Sequence, residues 1–197
     1  MIIPTIDPQD ASGTVAEIYR KDIAAFGYVA PHTRVLALHP EAYDAWEQLI
    51  GAIAGPMDKR RYELVTLAAA LGIGSPHCRL AHGRKSLGLI DEAQLIGIAR
   101  DYRTAGLPSS DVAMMAFAEK LSRNSSSMTD ADTQVLRNEG FSDEEIVQIV
   151  LAAAARNYLS RTLQALGSDV DDEVGLRPEL RAALLEPLLD PRDEAGR

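Results

Sequence analysis

The run Glu63-Leu64-Val65-Thr66-Leu67-Ala68-Ala69-Ala70-Leu71-Gly72-Ile73-Gly74-Ser75-Pro76-His77-Cys78-Arg79-Leu80-Ala81-His82 decides how this chain is read. Leu64, Val65, Leu67, Ala68 and Leu71 recur at helical spacing, which predicts a helix from Lys59, capped by Asp58, to about Leu71. Gly72 and Gly74 end it. Ser75 and Pro76 then restart a helix as N-cap and first helical residue, and Gly88 stops it. A connection this short predicts two helices packed as a hairpin.

The same punctuation continues in both directions. Towards the N-terminus it predicts helices over 13–26 (Ser12 as N-cap, Gly27 after the end), after Pro31, and from Pro40 to about Gly55. Towards the C-terminus it predicts helices from Asp91 to Tyr102, Pro108 to Leu121 and Thr129 to Gly140. A long one runs from the capping box Ser142/Glu145 to Leu166, and an amphipathic piece from Pro178 to Leu189. Strand-like alternation is scarce, so the expected fold class is all-α. The expected organisation is a helical domain over 1–167, followed over 168–197 by an acidic linker and a C-terminal amphipathic helix. The alanine run Ala152–Ala155 lies in the long helix, which must be buried within its own domain or at a subunit interface.

Composition bounds the function. The chain has 197 residues, 46% hydrophobic and 25% charged, enough for a sizeable core. Its formal net charge of −9 disfavours nucleic acid and anionic membrane surfaces as partners. No apolar run approaches the ~20 residues of a membrane span. With Cys78 as the sole cysteine there is no disulfide framework, and a lone thiol fits a reducing compartment such as the cytoplasm. Against the acidic background, residues 75–88 hold Arg79, Arg84 and Lys85 and no acid.

Chemistry concentrates there. Cys78 is the third residue of its helix, where the dipole, Arg79, His82 and Arg84 favour a thiolate. His82, four residues on, shares its face and can move its proton. Glu63, across the hairpin, can reach His82 and orient it. Blander readings compete: a lone cysteine is often a small buried core residue, His82 can lie on the surface, and Glu63 can pair with Lys59 or Arg60. His32 and His39, near prolines, read as loop or cap residues, and His77 is as easily exposed as catalytic. No recognised ligand spacing supports a metal or other cofactor.

These residues resemble a family signature. Glu63, eleven residues, Ser75, two residues, Cys78, three residues and His82 match the spacing E-x11-C-x-x-C-x-x-x-H of the alkylhydroperoxidase AhpD / carboxymuconolactone decarboxylase family, with Ser75 in place of the first cysteine. Leu36-Ala37-Leu38-His39-Pro40-Glu41, leading to Ala45-Trp46, resembles the upstream helix of its peroxidase-related subgroup. Phe141-Ser142-Asp143-Glu144-Glu145-Ile146, leading to Asn157-Tyr158-Leu159-Ser160-Arg161, resembles the downstream one. The resemblance implies an AhpD-like helical bundle assembled as a trimer or hexamer. It implies Cys78 as the peroxidatic cysteine, Glu63 and His82 as a proton relay and His77 as the residue before that cysteine. Ser75 stands where a resolving cysteine would form a disulfide. The implied activity is therefore reduction of a hydroperoxide or other small molecule, with an external thiol as resolving reductant. Two alternatives carry other expectations. An acid/base lyase would use Glu63 and His82, with Arg79, Arg84 or Arg161 binding a carboxylate; a non-catalytic helical oligomer would need none of them.

Overall fold

The structure, a computed structural model, describes residues 1–171 and 175–188. Among them there are ten α-helices, two short 3-10 turns and no strand, as the periodicity predicts. The helices are α1 (Gly13–Phe26), α2 (Pro31–Leu36), α3 (Pro40–Ala54), α4 (Lys59–Gly72), α5 (Pro76–Ser86), α6 (Glu92–Asp101), α7 (Ser109–Asn124), α8 (Asp130–Asn138), α9 (Asp143–Ala165) and α10 (Pro178–Leu185). Predicted ends at Leu189, and the linker residues Asp172 and Glu173, lie outside the described residues.

Helix ends follow the chemistry of the sequence. Asp58 Oδ1 accepts from the Arg61 amide at 2.8 Å, and Asp91 Oδ1 from Ala93 at 2.9 Å. His39 caps α3 through Nδ1, which accepts from Ala42 N at 3.4 Å. Ser142 and Glu145 form the reciprocal capping box at α9. Thr129 and Asp132 form another at α8. Ser12 precedes α1 in extended backbone, and its side chain makes no capping bond.

Helix α4 is the centre. It packs against α5, α7 and α9, and Tyr62 to Ala70 are buried without interruption. Each fully buried leucine there stabilises the fold by about 2 kcal/mol. Gly72 allows a close approach of α4 to α7, since a Cβ at this position would overlap the Glu119 carbonyl oxygen. Gly74, at φ +69°, turns the chain back into α5.

Helix α10 lies against α5 and α6, with Leu180, Ala183 and Leu184 buried in the same apolar cluster as α4. Arg79 fixes it there. Its Nε donates to Leu184 O at 2.9 Å and its Nη2 to Ala99 O. These are carbonyls in the last turns of α10 and α6, so one buried guanidinium satisfies groups at two helix C-termini, where positive charge is also favoured. Burial lowers the Arg79 pKa to about 10. The expectation that Arg79 adds charge beside the thiol is thus corrected: its side chain serves α6 and α10.

Helices α1 and α2 close the other end around Ile18, Tyr19 and Ala37. Trp46 of α3 stacks on Tyr158 of α9, with ring centroids 5.2 Å apart. Among the described residues no helix is long and apolar enough to cross a membrane.

Candidate active site

Ser75 begins the site. It is fully buried, and its Oγ accepts from the Cys78 amide at 3.4 Å. The cap fixes the first turn of α5 and occupies the amide of Cys78 itself. It also turns the thiol towards α9, where two side chains meet it. Ser160 Oγ donates to Cys78 Sγ at 3.1 Å, and Arg156 Nη1 lies 3.7 Å from the same sulfur. Arg156 Nη2 donates to Tyr62 OH at 3.4 Å. Cys78 is 2% exposed and Arg156 5%.

Arg156 is the unusual member. Among the described residues no carboxylate pairs with it, and its Nε has no hydrogen-bond partner. Its pKa is nevertheless raised: burial acts to lower it, and Cys78 and Tyr62 act to raise it. A guanidinium taken out of water needs an anion or several acceptors. The thiol of Cys78 and the phenol of Tyr62 are the ionisable groups it faces.

One turn along α5, His82 Nδ1 meets Glu63 Oε2 at 2.6 Å. The hairpin read from the sequence does bring these two residues together. Lys59 and Arg60 do not compete for Glu63, and Arg60 pairs with Asp111 at 2.7 Å. Burial raises the Glu63 pKa to about 7, opposed by Lys85 and Arg156. Burial also pushes His82 well below its usual value, helped by Arg156 and Lys85. The imidazole is therefore neutral at pH 7, and the pair has two forms one proton apart. In one, Nδ1–H donates to the carboxylate and leaves Nε2 basic. In the other, Nε2 carries a proton and the carboxylic acid donates to Nδ1. A proton entering at Nε2 thus moves the Nδ1 proton onto Glu63.

Cys78, His82 and Arg156 line a cavity of about 300 Å³. Phe26, Tyr28 and His32 of the α1–α2 region form one wall, and Leu159 and Leu163 of α9 another. Tyr28 OH donates to Asp171 Oδ2 at 2.7 Å, which links the end of α1 to the chain beyond α9. His32, read as a loop or cap residue, instead sits in α2 on the cavity wall, and burial lowers its pKa. His77 also lines the cavity; its Nε2 donates to Ser168 O at 2.8 Å, which leaves Nδ1 without a partner. Arg84 and Lys85 stand at the rim, while Arg161 is exposed and away from the cavity. Among the described residues no group of His, Cys, Asp and Glu side chains has the arrangement of a metal site.

Sequence reading gathers Glu63, Ser75, Cys78 and His82 correctly into one neighbourhood. It misses Arg156, Ser160 and Tyr62. One signal was available: an arginine directly after four alanines, in a helix apolar on most of its surface, must be buried with a purpose.

No family model matches the chain, and no curated protein matches it. Solved structures do. An AhpD-core, uncharacterized peroxidase-related protein from Ralstonia eutropha JMP134 superposes with a TM-score of 0.75 at 23% identity, over 88% of this chain and 93% of that one. A peroxidase-related protein from Silicibacter sp. TM1040 gives 0.72 at 23% identity, over 88% and 92%. The debrominase Bmp8, as a cysteine-to-alanine variant in complex with 2,3,4-tribromopyrrole, gives 0.74 at 15% identity, over 95% and 97%. The architecture is that of the AhpD-like proteins.

Proposed function

We propose that this chain, with its AhpD-like fold, is a thiol-dependent reductase of organic hydroperoxides that works with a single cysteine. The observation that supports this most is the contact of Cys78 Sγ with the guanidinium of Arg156 and the hydroxyl of Ser160, one helical turn from the Glu63–His82 pair. Arg156 balances a thiolate charge, and Ser160 directs a hydrogen bond at the sulfur. The thiolate attacks the terminal oxygen of ROOH. The O–O bond breaks, the sulfur becomes sulfenic acid, and the alkoxide takes a proton from the His82–Glu63 relay to leave as ROH. One external thiol condenses with the sulfenic acid to give a mixed disulfide and water. A second releases Cys78 and leaves as the symmetrical disulfide. Ser75 offers no thiol for an internal disulfide, so the reductant comes from outside the chain.

The test is hydroperoxide consumption with a small thiol, alongside mass-spectrometric trapping of the sulfenic acid. Cys78→Ser is expected to abolish both. Turnover that survives in that variant would overturn the proposal.

Cavity size favours a second reading. About 300 Å³ holds far more than a hydroperoxide group, and the likeness to a debrominase spans 95% of the chain. A thiolate can also abstract bromine from an electron-rich ring. The carbon takes a proton to give ArH, and an external thiol converts the sulfenyl bromide to a mixed disulfide and HBr. Bromide release from a bromopyrrole in the presence of thiol, without hydroperoxide turnover, identifies this chemistry instead.

A further inference from the structure

We propose that the cavity selects an amphiphilic organic anion, held by Lys85 at its rim with the apolar body against Phe26, Leu159 and Leu163. This rests on the reading of Cys78 as the reacting group, and it names the class of molecule brought to it.

The argument starts from the face of α5. Cys78, His82 and Lys85 follow at spacings of four and three, so they share one stripe along the helix. All three line the cavity. Lys85 forms no ion pair with any described residue. Desolvation lowers its pKa, while Glu63 and Cys78 act to raise it. The carboxylate of Glu63 is already bonded to His82. Asp171, the acid on the cavity wall, already accepts from the Tyr28 hydroxyl. Arg156 faces the sulfur and Tyr62. The lysine is thus a cation on this wall, exposed at the rim, that forms no direct ion pair among the described residues.

The rest of the wall gives the ligand its shape. Leu159 and Leu163 lie one turn apart on α9, and Phe26 faces the cavity at the end of α1 with 56% of its surface still exposed. These side chains suit a hydrocarbon body. Lys85 lies seven positions on from Cys78, or roughly 10 Å along the helix axis. A molecule that spans this distance carries its reactive group at one end and its anionic group at the other. The protein's overall charge of −9 works against capture of anions, so the cationic rim acts locally.

The experiment is calorimetric titration of the full chain with octanoate and with octanamide, which match in length and differ in charge. Octanoate is expected to bind at least about tenfold more tightly, the effect of one charge-assisted contact. Lys85→Met is expected to remove that preference, and Lys85→Arg to keep most of it. Octanoate is also expected to slow alkylation of Cys78 by iodoacetamide, which locates it in this cavity. Equal affinity for both ligands, no octanoate binding, or an unchanged preference in Lys85→Met would overturn the inference. These readouts need no turnover. If octanoate binds through Lys85 while hydroperoxide is not consumed, the anion selectivity stands and the proposed reaction falls.

Discussion

Helix α5 carries a buried arginine environment on each of two sides, and the two differ in what their nitrogens meet. Towards α6 and α10, Arg79 gives its donors to the carbonyls of Ala99 and Leu184. Towards α9, Arg156 leaves Nε unpaired and rests against a thiol and a phenol at 3.7 and 3.4 Å. Both are almost wholly inaccessible, at 1% and 5%. The first is a charge satisfied by the fold. The second is a charge the fold leaves incompletely satisfied, and one of its terminal nitrogens rests against the one cysteine. A buried cation is therefore informative only through what its nitrogens touch.

This contrast can be broken by experiment, and the largest effect belongs to the satisfied side. Arg79→Met strands the terminal carbonyls of two helices. It is expected to lower the free energy of unfolding by about 3 kcal/mol, read from denaturant midpoints, with slower alkylation of Cys78 only where the protein unfolds. A midpoint equal to that of the unaltered protein would show that α10 docks without the arginine.

On the cavity side, stability is expected to move the other way. Glu63 has its pKa raised from 4.5 to about 7 in the folded chain. Between those values the folded state holds a proton that the unfolded chain has released. The group's contribution is therefore present at low pH and is lost as pH rises through about 7. Glu63→Gln removes this loss. The variant is expected to gain stability relative to the parent between pH 5 and pH 8, on the order of 2 kcal/mol, while losing the proton relay. A stability difference that does not vary with pH would refute a buried, proton-sharing carboxyl.

The companion to Arg79→Met is Arg156→Met. It is expected to change stability by less than about 1 kcal/mol, because an apolar side chain of similar length needs no counter-ion. Alkylation of Cys78 at neutral pH should fall about tenfold with the loss of the facing cation. If both variants lose stability equally, the distinction between the two arginines disappears. The smallest effect is assigned to Ser160→Ala, about threefold on the same alkylation rate, for one neutral hydrogen bond to sulfur.

The sequence carries the helix boundaries well because they are local. Caps at Asp58, Asp91 and Ser142, and Gly27 after α1, act within a few residues of the ends they define. The Glu63–His82 contact was legible for a related reason. The two residues lie 19 apart, across one tight turn, so helical spacing nearly fixes their meeting. The contacts of Arg156 and Ser160 with Cys78 cross 78 and 82 residues, and only the packing of α9 on the hairpin determines them. The role of Arg79 is hidden from the sequence for the same reason, since one of its acceptors lies 105 residues away in α10. Its charge was visible in the sequence; the carbonyls that use it were not.

The stacking of Trp46 on Tyr158 has an optical consequence. The chain contains one tryptophan, so its indole emission arises at a single place, where α3 touches α9. Tyr158 stands midway between Arg156 and Ser160, the two residues of α9 that meet the thiol. Any rotation or sliding of α9 that adjusts those contacts also changes the overlap of the indole with the phenol ring. The protein thus carries a built-in fluorophore on the far face of the helix that meets the thiol. A shift of α9 against α3 is expected to register as a change in that emission in the unlabelled, unmutated chain.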